Sequence, residues 1–252
     1  MTTTTTVPSP WTHADAMELA ATEYDRFVGV LESLGGDDWG QPTDCEGWTV
    51  RDLSGHVVGL MRAAASVRVM AGQQIVAFRR AKSHGGNPTD HMTAYQVQRT
   101  SGLSSDELVA EARRLVPRAT AGRRRTPGPA RRHVRFPVLV GDVSESWTLG
   151  YLFDTILTRD TWLHRIDLCR AIGREPELTA DHDGRVVADV VAEWARRHGQ
   201  PFHLVLTGPA GGRFGDPAAG EPIELDAVEL CRILSGRSPG TGHPLLSTEV
   251  PF

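Results

Sequence analysis

Four runs with apolar residues at helical spacing, opened by capping residues or closed by glycine, constrain this chain more than any other feature. From Trp11 to Leu34 the apolar positions Ala16, Leu19, Ala20, Phe27, Val30, Leu31 and Leu34 mark one face of a helix, and Gly35-Gly36 stops it. After a Pro- and Gly-containing loop, Gln41 to Gly47, a second helix opens at Thr49. Thr49 with Asp52 makes a capping box with Asp in place of Glu, and Trp48 with Leu53 fits a hydrophobic staple. The pattern carries this helix from Val50 to about Arg80, where His84-Gly-Gly-Asn-Pro88 breaks it; Gly55, Gly59 and Gly72 are places for a neighbour to approach closely. A third helix runs from Ser104, with Glu107 at its capping position, to about Thr120. The fourth starts at Ser144-Glu145 and continues through Trp162 and Ile166 to Arg170, with Gly173 as its stop. Four long helices predict a bundle, a fold that builds its sites between facing helices.

Between the third and fourth helices lies Arg123 to Arg135, basic and rich in Pro and Gly, which reads as a solvated, mobile surface loop followed by the short apolar stretch Phe136–Val140. Beyond Glu175 the character changes. Asp181 to His198 reads as a helix, Phe202–Thr207 as a strand, Gly208 to Gly220 as a turn-rich hairpin region and Pro222–Leu225 as a strand. Asp226 caps a helix to Leu234, and Thr248 to Phe252 reads as a last edge strand. The expected organisation is a disordered tail over residues 1–10, a helical bundle over 11–174 and a smaller α+β domain over 175–252.

Net charge and cysteines narrow the function classes. A formal charge of -4 and a pI near 6.2 argue against a dedicated nucleic-acid binder, which needs a basic surface to meet phosphates. No stretch approaches the length of apolar sequence that a membrane-spanning helix requires, and Met1–Pro10 lacks a secretory pattern. Three cysteines, Cys45, Cys169 and Cys231, make no disulfide framework, and none has a local His partner arrangement; a reducing, cytoplasmic setting is the simplest expectation. A small molecule or another protein is the default partner on these grounds, with the chain a monomer or homodimer.

Three residues stand out chemically. Asp160 and His164 are four apart on the fourth helix, hence on one face and one turn apart. His56 on the second helix is the candidate third ligand. Three nitrogen and oxygen ligands leave a fourth position open on zinc, as catalytic sites require. Asp167, three residues after His164, is placed to accept the other imidazole N–H. Trp48 and Trp162 read as packing residues.

Pro42-Thr-Asp-Cys-Glu-Gly-Trp48-Thr-Val-Arg-Asp-Leu-Ser-Gly-His56, the helix carrying Asp160 and His164, the sequel His164-Arg-Ile-Asp167-Leu and the C-terminal Leu234-Ser-Gly-Arg237 together resemble the mycothiol-dependent maleylpyruvate isomerase family. The resemblance implies an α+β protein in which a DinB-like four-helix bundle precedes a smaller α+β domain. It also implies a divalent metal, commonly zinc, on His56, Asp160 and His164, with mycothiol as thiol cosubstrate and Arg237 helping the thiol or substrate bind. The family usually has Glu at the acidic position. Asp160 is shorter, which draws the metal toward the helix axis or weakens its bond. The implied chemistry is addition of the mycothiol thiolate to an electrophilic small molecule: elimination after bond rotation gives cis-trans isomerisation, and a retained S–C bond gives S-transfer. Two other readings stay open. One is a metal-dependent hydrolase using a metal-bound water. The other is a non-enzymatic binding or regulatory module, in which His84, His91 or His133 closes the coordination sphere.

Overall fold

Residues 11–140, 143–240 and 242–252 are described by the computed structural model, so the N-terminal segment read as a disordered tail lies outside the described residues. The described chain forms two units, residues 11–176 and 177–252, of α+β class.

The first unit contains α1 (His13–Glu32), α2 (Val50–Ala65), α3 (Val67–His84), α4 (Pro88–Thr100), α5 (Ser105–Arg124) and the short α6 (Gly128–His133). A hairpin of β1 (Arg135–Val140) and β2 (Val143–Thr148) follows, then α7 (Leu149–Tyr151), which passes through a π-helical turn, Leu152–Ile156, into α8 (Leu157–Ala171). The bundle is closed by α1, α2, α5 and α8: α1 and α2 each pack on both α5 and α8. Its core holds Tyr24, Phe27, Leu31, Leu53, Val57, Met61, Leu115 and Leu168. Two side-chain contacts tie the bundle polar-side: Arg62 of α2 forks onto Glu111 of α5 at 2.7 and 2.6 Å, and buried Arg165 of α8 donates from Nε to Glu23 of α1 at 2.7 Å. A charge pair this deep holds position more than it stabilises.

The helix expected from Val50 to Arg80 is two helices. Ser66 turns to extended backbone, φ -152° and ψ 115°, and its side chain accepts from the Val69 N–H, capping α3 as α2 ends. Helix α4 was not expected; the Pro that reads as a breaker sits at its first turn, where its missing N–H costs nothing, and Asn87 caps it. Of the three glycines expected to admit neighbours, Gly55 and Gly59 face Thr100 and Gln96 of α4, whereas Gly72 has open space.

The basic segment is not an extended loop. Its Pro127-Gly-Pro129 starts α6, and Arg123 points inward, wholly buried, donating to the Phe153 carbonyl, the Tyr24 hydroxyl and Thr158 Oγ1. A π turn displaces backbone carbonyls from the regular ladder, and this guanidinium meets the one at Phe153. The fourth helix does not start at Ser144 either. Val143 to Thr148 alternates, with Glu145 and Trp147 buried, and pairs antiparallel with β1 from Arg135↔Thr148 to Val140↔Val143. Trp147 Nε1 donates to Glu145 at 2.8 Å, which explains an acidic residue on the inner face.

The second unit holds α9 (Arg185–His198), opened by a π turn at Ala180–Gly184, then β3 (His203–Thr207), β4 (Gly212–Gly215), β5 (Ile223–Asp226) and α10 (Ala227–Leu234). The sheet order is β4-β3-β5, with β4 antiparallel and β5 parallel to β3. Gly199, at φ 64°, ends α9, and Asp226 caps α10 by accepting from Val228 and Glu229 N–H. Thr248 to Phe252 forms no strand: a 3₁₀ turn at Pro244–Ser247 precedes it, Val250 N–H reaches the Leu234 carbonyl, and Pro251 has no N–H to extend a ladder.

Two predictions follow from this packing. A Cβ on Gly122 would lie 2.1 Å from the Ala64 carbonyl oxygen, a backbone atom, so Gly122→Ala should cost about 1–3 kcal/mol, whereas Gly72→Ala in open helix surface should gain about 0.5–1 kcal/mol; urea unfolding of both variants decides it. The Arg62 fork holds the Glu111 carboxyl below the ordinary carboxylate range. A folded-state value below the unfolded one means the pair's contribution is present in full above the unfolded carboxylate range and is lost as pH falls through the folded value. Glu111→Gln should therefore cost about 1 kcal/mol or less at neutral pH and flatten the acid limb of a stability profile followed by circular dichroism.

Candidate metal centre

The start of α2 is specified locally. Thr49 Oγ1 accepts from the Asp52 N–H at 3.2 Å and Asp52 Oδ2 accepts from the Thr49 N–H at 3.1 Å, the expected reciprocal box. Pro42 bridges Thr49 in a short antiparallel contact, so the loop Gln41–Gly47 folds back beside the helix start. One turn further along α2 than Asp52, His56 is buried.

Across from it, α8 brings Asp160 and His164. Asp160 Oδ2 lies 3.7 Å from His56 Nε2 and Asp160 Oδ1 lies 3.6 Å from His164 Nε2. The two imidazole rings meet edge to face, 5.1 Å between centroids. One ligand atom from each of the three residues falls within 4.8 Å of the other two. Both imidazoles are buried, and the Asp160 side chain keeps 18 % of its surface exposed.

The remaining ring nitrogens settle what these side chains offer. His164 Nδ1 is 3.1 Å from Asp167 Oδ2, and Asp167 is wholly buried. A carboxylate accepts, so Nδ1 donates and Nε2 of the neutral ring carries the lone pair. His56 Nδ1 is 2.8 Å from Gln96 Oε1. Both Nε2 atoms thus face Asp160, at separations too long for hydrogen bonds. Two ligands of one tetrahedral zinc ion sit roughly 3.3 Å apart at the usual bond lengths, close to the spacings found here. The donor set, two neutral imidazoles and a carboxylate, fits a divalent zinc-like ion.

Three neighbours escaped the sequence reading. Trp48 lies 5.2 Å from the His56 ring and 6.4 Å from the His164 ring while packing on the bundle core, so it walls the site as well as filling space. Cys45 Sγ sits 3.9 Å from His164 Nδ1 and donates to Asp167 Oδ2 at 3.6 Å. No local spacing signals that proximity, because 119 residues separate Cys45 from His164. Gln96 comes from the unexpected helix α4. The other proposed ligands stand apart from the trio: His84 and His91 face each other with rings 6.3 Å apart, His91 Nε2 bonds the Gly85 carbonyl, and His133 is exposed at the end of α6. Arg237 lies in the second unit on the turn after α10, its N–H bonded to the Arg232 carbonyl at 2.8 Å. Trp162 is wholly buried, a packing residue as expected.

Residues 3–169 match the family model for the mycothiol maleylpyruvate isomerase N-terminal domain. Among solved structures, the chain is similar to a crystal structure of the mycothiol-dependent maleylpyruvate isomerase, with a TM-score of 0.58 and 19 % identity over 96 % of this chain and 95 % of that one. A histidine-to-alanine mutant of the mycothiol-dependent enzyme gives a TM-score of 0.57 and 18 % identity over 90 % of each chain. At such identity the likeness carries the fold. No curated protein matches the chain.

The capping box is the local device that orients His56, so Thr49→Ala should cost about 1 kcal/mol of stability by urea unfolding, with Thr49→Ser close to wild type.

Proposed function

The chain belongs to the mycothiol maleylpyruvate isomerase N-terminal domain family, and on that premise we propose that it is an enzyme activating mycothiol toward an electrophilic small molecule, as an S-transferase or a cis-trans isomerase. The observation that carries the proposal is the convergence of His56 Nε2, His164 Nε2 and the Asp160 carboxylate within 4.8 Å, with both Nδ1 atoms already engaged. His56, Asp160 and His164 would hold a divalent cation, zinc by the character of the donors. Bound there, such an ion supplies Lewis acidity, which keeps a thiol ionised at neutral pH.

The chain's own residues frame that chemistry. Two neutral imidazoles and one carboxylate cancel only half of a divalent charge, so the site stays attractive to an anionic sulfur. Asp167 fixes the His164 ring and raises its basicity from behind. Trp48 shields both imidazoles on the loop side. Arg237 is assigned an anionic group of thiol or substrate, by the likeness of Leu234–Arg237 to the family's C-terminal arginine. The cysteines need no nucleophilic role: the Cys45 thiol donates a hydrogen bond to Asp167, and burial raises the Cys169 thiol above its usual range. A closed, purely structural site is less supported, because His84, His91 and His133 are absent from the cluster of ligand atoms.

His56→Ala and His164→Ala should each lose bound zinc, measured by mass spectrometry of the intact protein, together with thiol-dependent turnover of activated alkenes or halides. Wild-type turnover in either variant would overturn the proposal, and turnover without thiol would favour hydrolysis. Arg237→Ala should weaken thiol or substrate binding about tenfold, roughly 1.4 kcal/mol, in thermal-shift titration while leaving zinc in place.

A further inference from the structure

An imidazole exposes a metal-binding lone pair at Nε2 only when its proton sits on Nδ1, so whatever faces Nδ1 chooses the form. At His56 that partner is an amide, which could in principle donate or accept. The direction is decided two links away. Gln73 Nε2 is 3.0 Å from the Gly59 carbonyl, an atom that can only accept, so the NH₂ of Gln73 must point there and its Oε1 must face Gln96. Gln96 then presents Nε2 to Gln73 Oε1, at 2.8 Å, and Oε1 to His56 Nδ1, at 2.8 Å. The order admits no flip, since reversing either amide would set oxygen against oxygen or two N–H groups against each other.

The surroundings are built for this contact. Gln73 and Gln96 are both buried, on α3 and α4. Gly59, one turn beyond His56 on α2, lacks the Cβ that would stand 2.5 Å from Gln96 Cβ, so α2 gives up a side chain where the amide arrives. Arg51 fastens the far end of α4 by donating to the Thr100 and Leu103 carbonyls at 2.9 and 2.6 Å. A buried side chain chosen only to fill this space would be apolar, because two buried amides lose hydration that only a complete set of hydrogen bonds restores.

We propose that Gln96, polarised by Gln73 and the Gly59 carbonyl, is a positioning residue that holds His56 in the Nδ1–H tautomer and so aims its Nε2 lone pair at Asp160 and His164. Its use in metal binding rests on the reading above; the tautomer itself does not.

The test compares wild type, Gln96→Met, which keeps volume but removes the acceptor, and Gln96→Glu, which keeps the acceptor for His56 while losing the N–H donated to Gln73. Long-range proton–nitrogen correlation spectra of the metal-free full chain, labelled at histidine and held at a pH where the ring is neutral, read the His56 tautomer directly. Competition with a chromogenic chelator reads zinc affinity. The expected result is an Nδ1–H pattern in wild type and Gln96→Glu, lost in Gln96→Met with a fall in zinc affinity of about 10–100-fold. An Nε2–H pattern in wild type overturns the inference whatever the variants do. So does a Gln96→Met protein with unchanged tautomer and affinity, which is what a packing role alone would give. A wild-type protein that shows the Nδ1–H pattern, loses it in Gln96→Met and binds no zinc sinks the metal reading and leaves the positioning role standing.

Discussion

The site turns on where two protons sit. An imidazole has one hydrogen and one lone pair to share between its nitrogens, and each histidine here has its hydrogen claimed from behind: His164 by the Asp167 carboxylate, His56 by the Gln96 amide oxygen. Both lone pairs therefore face a carboxylate that can offer nothing but more lone pairs. The Asp160 oxygens stand 3.6–3.7 Å from the two Nε2 atoms, close to the spacing of two ligands on one ion, and that is the physical ground for the cation proposed here. The rest of the first unit matters to function through how it holds those two acceptors in place.

The two acceptors are held differently. Asp167 is on the same helix as His164, three residues along, so α8 needs only its own geometry to bring them together. Gln96 reaches His56 from another helix, which requires α4 to come close to α2. Gly55 and Gly59 make that approach physically possible: an added Cβ at either would overlap Thr100 or Gln96 by a full ångström or so relative to ordinary contact. A π turn precedes α8, and Arg123 donates to the Phe153 carbonyl in that turn and to Thr158 Oγ1 at the start of α8. A buried arginine from the basic stretch thus ties α5 to the backbone that leads to Asp160.

Much of this was legible in the sequence, and the reasons for the rest are specific. Periodicity carried α1, α2, α5 and the body of α8 and the α+β class, and the caps at Thr49 and Ser104 carried the starts of α2 and α5, whereas α8 starts on Ile156 with no side-chain cap. The juxtaposition of His56 with Asp160 and His164 came from spacing on α8 together with a motif on α2. What stayed hidden was long-range. Ser66 reads as one polar residue in a helical run, yet its side chain closes the next helix instead. Ser144-Glu145 looks like a helix start until Glu145 is seen accepting from Trp147 within a hairpin. Arg123 looks solvated in a basic run, and the partners that turn it inward, the Phe153 carbonyl, Tyr24 and Thr158, are all distant in sequence. Gln96 carries no signal in its own neighbourhood, and Cys45, though inside the Pro42–His56 motif, carries none that points to His164.

The aspartate at position 160 raised the question of reach, since the family pattern has the longer glutamate. The geometry answers it through symmetry: Asp160 turns one oxygen to each imidazole, at 3.6 Å to His164 and 3.7 Å to His56. A side chain anchored on α8 achieves equal distances to its own helix and to α2 only when the two helices come close enough for the shorter arm, and α2 and α8 are in direct packing contact in the bundle. A carboxylate held by one methylene has fewer rotamers to lose than one held by two, so a site built on Asp160 is ordered at lower entropic cost but tolerates less drift between α2 and α8. That places the demand for precision on the packing of α2 against α8 rather than on the ligand.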